Sequence, residues 1–369
     1  MRAAWYDQQG PAAQVLRYGE LPDPVPGPGE VRVRVRFSGV NPGDTKKRRG
    51  WAGSAMPYPR VIPHSDAAGV IDAVGQGVDP NRIGSRVWVY GAQSYRAFGT
   101  AADYTVVPTE LAVDLPDTVP DEIGACLGIP GITAHQAVFE DGPITGATVL
   151  VHGIRGGVGA MAAQLALWGG AYVIGTVRRH EQLLSSGVSY PVVGLDHPDP
   201  AGQIRAHAPD GVDRIVEVSF SDNVDLDAAV ARVGTVIAAY ATRVDRPDLP
   251  FWPMLFANIT IRLLGSDDFP AAAKRQAAAD LSTAAAAGAL SIAIGTTVPL
   301  ERIAQAHERV DSGIGERTLV CIGSWPAPRR LIRCGPANRA AAAINSSECV
   351  GRHRVAVSAR ACTTRPAAL

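Results

Sequence analysis

The 369-residue chain is predicted to be an α/β protein in two parts, a β-rich part and a doubly wound parallel sheet. Three observations carry this. Up to residue 121 short strand-like runs sit between Gly- and Pro-bearing turns. Beyond it apolar strands alternate with helical stretches, and a glycine-dense turn joins the first of those strands to its helix. The length also exceeds the roughly 100–200 residues of one domain.

In the first part, Val31, Val33, Val35 and Phe37 alternate with Arg32, Arg34 and Arg36, the period-two pattern of a strand with one buried face. Further apolar runs at 68–74, 86–90 and 102–107 read as strands. In the second part, strands are expected at 148–152, 172–176, 214–218, 235–239 and 260–264. Helices are expected at 157–167, 225–233 and 271–286, so the strands should be parallel with right-handed crossovers. The helical spacing of Ile303, Ala306, His307 and Val310, and the apolar run 319–322, should return to the β-rich part. The expected partition is 1–121 with 290–323, and 122–289, leaving a cleft between them for a small molecule.

Residues 324–369 lack periodicity and are expected to be a disordered basic tail, with eight Arg against one acid, Glu348. Residues 1–323 then hold 27 basic and 34 acidic side chains, a net of −7, which argues against nucleic acid as a partner. The composition, 46% hydrophobic and 19% charged, is ordinary for a globular chain, and no apolar run approaches the ~18 residues that suggest a membrane span. The N-terminus reads straight into a strand. The five cysteines, Cys126, Cys321, Cys334, Cys349 and Cys362, include no C-x-x-C pair, and the expectation is a reducing cytoplasm without disulfides or a zinc site.

The turn Gly153-Ile-Arg-Gly156-Gly157-Val158-Gly159 follows the strand at 148–152 and opens a helix. Helix N-termini stabilise phosphate through free N–H groups and the helix dipole, provided no side chain holds the phosphate away. Glycine at 153, 156 and 157 removes that obstruction, and Gly159 permits close helix–strand packing. Dinucleotide binding is therefore expected. At the end of the second strand, where an acid would bind the ribose 2′-hydroxyl of NAD, the chain reads Thr176-Val-Arg178-Arg179, with no acid. Two guanidinium groups suit a 2′-phosphate, so NADPH is expected over NADH.

The chain resembles the quinone oxidoreductase (zeta-crystallin-like) branch of the zinc-free medium-chain dehydrogenase/reductase superfamily over about residues 1–323. The resemblance rests on Ser38-Gly-Val-Asn41-Pro-Gly-Asp44, Pro63-His64-Ser65-Asp66-Ala-Ala-Gly-Val70, Gly128-Ile-Pro-Gly-Ile-Thr133-Ala134, the glycine turn, and Pro299-Leu-Glu-Arg-Ile-Ala-Gln-Ala-His307. It implies a GroES-like catalytic domain plus a Rossmann domain, NADPH as hydride donor, homodimers or homotetramers, and reduction of quinones or α,β-unsaturated carbonyl compounds. It places Asn41 beside the nicotinamide ribose, Thr133 near the carboxamide and Leu264-Gly265-Ser266 along the nicotinamide edge.

Zinc-dependent relatives carry Cys where this chain has Asn41, and their histidine ligand falls nearest Ser65, so no metal is expected; Cys126, His64 and Asp66 are the residues that could assemble a site instead. Better-known quinone reductases have pocket tyrosines where this chain has Lys46 and Ala52. Lys46 could polarise a carbonyl or protonate an enolate, or Lys46–Arg49 could be a basic surface loop. Asp44 could fix that loop or relay a proton, which makes Asn41, Asp44 and Lys46 the candidate catalytic residues. Trp51, Tyr58, Tyr90 and Trp252 are candidates for stacking on a planar acceptor. Two alternatives stay open: an enoyl-thioester or polyketide enone reductase on the same fold, and a low-turnover NADPH-binding sensor or RNA-binding protein.

Overall fold

The computed structural model describes residues 1–323 apart from 184–186 and 314. The expectation of a disordered tail at 324–369 lies outside the described residues. From the N-terminus run β1 (Arg2–Trp5), α1 (Ala12–Val15), β2 (Arg17–Glu20), β3 (Glu30–Val40), α2 (Pro42–Arg49), β4 (Asp66–Val74), β5 (Arg86–Val89), β6 (Tyr104–Pro108) and β7 (Ala112–Asp114). Next come α3 (Asp121–Gly124), α4 (Ile129–Phe139), β8 (Thr148–Val151), α5 (Gly157–Trp168), β9 (Tyr172–Val177), β10 (Val192–Gly194), α6 (Pro200–His207), β11 (Val212–Glu217) and α7 (Phe220–Val230). The last elements are β12 (Ala231–Ala239), α8 (Phe251–Phe256), β13 (Thr260–Leu263), α9 (Ala271–Ala286), β14 (Ile294–Pro299), α10 (Ile303–Asp311) and β15 (Arg317–Cys321).

Six parallel strands form one sheet in the order β10-β9-β8-β11-β12-β13. The chain winds outward in both directions from β8 and β11, so the switch point between them is where a ligand crevice belongs. The other large sheet runs β14-β15-β3-β4-β5-β7, with β6 also paired to β3. In β3 the alternation works as read: Val31, Val33 and Val35 are fully buried, whereas Arg32 pairs with Asp72 at 2.9 Å and Arg36 with Asp121 at 2.6 Å on the other face. Beyond Phe37 the pattern ends, because Ser38 and Val40 are also buried as the strand passes between β4 and β15.

Several local expectations shift. The helix expected at 225–233 is α7, which starts five residues earlier directly after β11, and Ala231 already belongs to β12. The Ser219 hydroxyl donates to Asp222 at 2.6 Å at that helix start. Helix α4 went unread because it is buried almost all round, leaving no polar stripe for periodicity to reveal. The surface-loop reading of Lys46–Arg49 is corrected: these residues form the second half of α2. Pro42 presets the first helical turn, the Asp44 carboxylate accepts the Asn41 N–H at 2.8 Å, and Gly50 ends the helix at φ 74°.

Candidate active site

A cavity of about 470 Å³ opens at the carboxyl ends of the parallel strands. Val218 after β11, Tyr240 after β12 and Leu264 after β13 line it, together with Gly156, Gly157 and Val158 at the start of α5. The opposite wall comes from the end of β3 and α2, with Asn41 and Lys46, from α4 with Thr133, and from β15 with Arg317. Of the expected residues, Asn41, Lys46, Thr133, Gly156, Gly157, Val158, Leu264 and Ser266 therefore meet in one space.

The glycine turn is built as the motif implies. Gly153 sits at φ 67°, where a side chain would be strained, and a Cβ on Gly159 would lie 2.4 Å from the Gly153 carbonyl oxygen. Gly153 and Gly159 thus shape the turn from beneath, and Gly156 and Gly157 face the cavity. The first N–H groups of an α-helix have no partner within it, and those of α5 begin at Gly157. Thr176 does not line the cavity; it is fully buried and braces the turn, its hydroxyl accepting the Gly153 N–H at 3.4 Å while its backbone carbonyl accepts that of Ile154 at 3.1 Å. Arg178 and Arg179 are exposed just past β9, outside the cavity. Gly265 lies between two lining residues without lining it.

Asn41 is buried, its amide donates to Asp66 Oδ2 at 2.6 Å, and its own Oδ1 has no partner among the described residues. A buried acceptor left open in a cavity wall is costly unless a ligand donor meets it. Asp66 is held from both sides, since its Oδ1 accepts the Ile129 N–H at 2.9 Å. Burial pushes the Asp66 carboxyl up to about 6, against the Asn41 and Ile129 hydrogen bonds. Asp44 does not reach the cavity: burial, reinforced by the charge of Asp66, pushes it up to about 7, and its carboxylate caps α2. Thr133 gives its hydroxyl proton to the Ile129 carbonyl at 2.7 Å, leaving lone pairs for the cavity.

Sequence reasoning missed Arg317 and Tyr240. Arg317 is buried and donates to the Val40 carbonyl at 3.3 Å, yet its Nε and Nη2 have no partner among the described residues. Its Cδ and Nη1 lie beside Gly157, so an only partly satisfied guanidinium abuts the glycine turn. No local signal marks it, since an arginine opening an apolar strand usually faces water. Burial and the charge of Glu217 raise the Tyr240 phenol well above its ordinary range, which keeps it a donor. None of Trp51, Tyr58, Tyr90 and Trp252 lines the cavity.

Two buried polar clusters lie behind the site. His64, at φ 76°, has both ring nitrogens engaged, Nδ1 with Ser38 at 2.8 Å and Nε2 with His307 at 2.9 Å. Behind the glycine turn, His152 Nε2 lies 2.9 Å from Asp227 Oδ1 and 3.5 Å from Glu217 Oε2, all three fully buried. This is the sole His/Cys/Asp/Glu group of metal-binding compactness among the described residues; Glu217 also accepts the Ser219 N–H and the Asn223 amide, whereas Asp227 Oδ2 has no partner among the described residues.

Residues 27–117 match the family model for the alcohol dehydrogenase GroES-like domain, and 192–314 that for the zinc-binding dehydrogenase. Quinone oxidoreductase of Mus musculus is 32% identical over 305 residues, 79% of this chain and 88% of the relative. That of Homo sapiens is 30% identical over 316 residues, 83% and 92% of the two chains. A mycobacterial quinone oxidoreductase structure superimposes with a TM-score of 0.76 at 25% identity, covering 87% of this chain and all of that one. A mycobacterial structure complexed with NADPH gives 0.75 at the same identity and coverage. The mixed sheet is thus GroES-like and the parallel sheet Rossmann-like, and with this likeness running through both, the chain belongs to the quinone oxidoreductase branch of the medium-chain dehydrogenase/reductase superfamily.

Proposed function

We propose that the chain is an NADPH-dependent reductase that passes hydride to quinones or α,β-unsaturated carbonyl compounds without a metal. The observation that carries the reading is a buried acceptor without a partner among the described residues, Asn41 Oδ1, together with the buried and only partly satisfied Arg317 guanidinium, both in the lining of a cavity whose third wall is the glycine turn. Together they offer an acceptor, a cation and bare amides, the complement of a sugar hydroxyl and a diphosphate. When bound, the nicotinamide supplies the hydride. The chain's own residues orient and exclude water: Asn41 is fixed by Asp66, Thr133 by Ile129, and Tyr240 remains a donor at the carboxyl end of β12. Asn41 and Ser65 stand where metal-dependent relatives carry ligands, and an amide and a hydroxyl are poor zinc donors. The residues 1–121 and 290–323 would carry the acceptor side and 122–289 the nucleotide, in a reducing cytoplasm that keeps Cys126 and Cys321 as thiols.

NADPH oxidation followed by absorbance with a panel of quinones, enones and enoyl thioesters tests the activity; no oxidation with any of them would refute it. Arg178 and Arg179 supply the choice of nucleotide. Replacing both with alanine should raise the Kd for NADPH about tenfold and leave that for NADH unchanged, as a lost charge-assisted pair predicts. Equal losses for both nucleotides would reject this assignment.

A homodimer completes the proposal. Among the described residues β13 pairs only with β12; it carries Leu263, 78% exposed, and the preceding α8 carries the exposed Phe251, Trp252 and Phe256. An open strand edge with an apolar patch suits two-fold pairing with a second copy. Leu263→Asp should shift the mass in light scattering from two chains to one at micromolar concentration; an unchanged mass would place the interface elsewhere.

A further inference from the structure

We propose that Lys46 anchors a carboxylate on the acceptor, so that the preferred substrates are electron-poor carbonyl compounds carrying an anionic group. This rests on the reductase reading above and narrows its substrate class.

Helix α2 ends in four consecutive cations, and three of them have acid partners. Lys47 Nζ lies 3.1 Å from Asp267, Arg48 Nη2 lies 2.6 Å from Asp311, and Arg49 Nε lies 3.4 Å from the same Asp311. Lys46 has no carboxylate within ion-pair distance among the described residues, and it lines the cavity beside Asn41 and Gly43. Its ammonium sits over the Trp51 ring, 5.1 Å from the centroid. A ring face holds a cation in place without neutralising it and leaves its N–H groups free for an acceptor oxygen.

The helix dipole explains why cations gather at the end of α2, but it does not explain why one of them faces the cavity unpaired. Of the acids near it, Asp44 accepts the Asn41 N–H and Asp267 holds Lys47 and Ser94, whereas Glu316, which also lines the cavity, makes no ion pair with Lys46 among the described residues. A charged donor in a partly dry cavity wall gains most from an opposite charge brought by the ligand. Neutral quinones and enones leave that charge unused, whereas a keto acid uses it.

The test is calorimetric titration of the full-length, NADPH-loaded protein with 4-oxo-4-phenylbutanoate and with its methyl ester, neither of which has the conjugated C=C bond that the proposed reaction reduces. The acid should bind at least tenfold more tightly than the ester. Lys46→Gln should abolish that difference by weakening the acid far more than the ester, and Lys46→Arg should retain most of it. Equal affinities in the parent protein, a difference that survives Lys46→Gln, or an equal loss for acid and ester would each overturn the proposal. The unsaturated pair, 4-oxo-4-phenylbut-2-enoate and its methyl ester, reports turnover separately. If the acid binds as stated and neither compound oxidises NADPH, it is the reductase reading that fails.

Discussion

Gly159→Ala is expected to weaken NADPH binding about a hundredfold in a fluorescence titration, on the order of 2.7 kcal/mol. The new Cβ would lie 2.4 Å from the Gly153 carbonyl oxygen, 2.8 Å from its carbon and 3.0 Å from the His152 oxygen. All three are backbone atoms, so no side chain can swing aside. The start of α5 must move away from β8, and its amides lose their aim at the diphosphate; each charge-assisted hydrogen bond misdirected costs roughly 1.5–3 kcal/mol. Gly157→Ala is the internal comparison. There the Cβ would meet Arg317 Cδ at 3.4 Å, ordinary contact with a flexible side chain, so the turn keeps its shape and any loss of affinity reports the Cβ standing where the phosphate approaches. Parent-like affinity in Gly159→Ala would remove the turn from the binding account.

The contrast shows what was legible beforehand. Spacing named the turn because strand, glycines and helix are consecutive, and the strands of the parallel sheet were readable because they are apolar runs of ordinary length. The α9 boundaries, Ala271–Ala286, came out as read because the stretch is rich in alanine, a strong helix former, with Pro270 before it and Gly288 just after it. What escaped depends on contacts distant in sequence. Arg317 becomes a site residue because β15 pairs with β3 and brings it 277 positions from Val40 into hydrogen-bonding reach. The three-residue strand β10 is too short for any period. Lys46–Arg49 misled as a surface loop because four cations in a row look solvated, yet Arg48 is fully buried by its pairing with Asp311 on α10. His152 and Asp227, 75 positions apart, gave no sign of meeting.

That meeting sets the largest stability effect. Burial alone would push the His152 imidazole down, but the charge of Glu217 and the hydrogen bond that His152 donates to Asp227 outweigh it, so His152 is held above its ordinary value. Burial likewise pushes Glu217 up to about 7, with the His152 charge opposing. The native state therefore binds protons more readily than the unfolded chain at both groups. The stabilisation from Glu217 is complete below its ordinary value near 4.5 and is lost as pH rises through about 7. That from His152 is complete below 6.5 and is lost as pH rises through its raised native value. Urea unfolding should accordingly show this contribution shrinking from pH 5 to pH 8. Removing the imidazole strands two buried acids, and breaking such a group typically costs roughly 3–5 kcal/mol. His152→Ala should lower unfolding free energy by about that amount at pH 7, and Glu217→Gln added to it should recover part of the loss by deleting one unmatched charge. Simple additivity of the two substitutions would show that the residues do not act as a unit. Because His152 precedes Gly153 and its Nδ1 shares the Thr176 hydroxyl at 2.9 Å, the same cluster fixes the strand end from which the glycine turn departs.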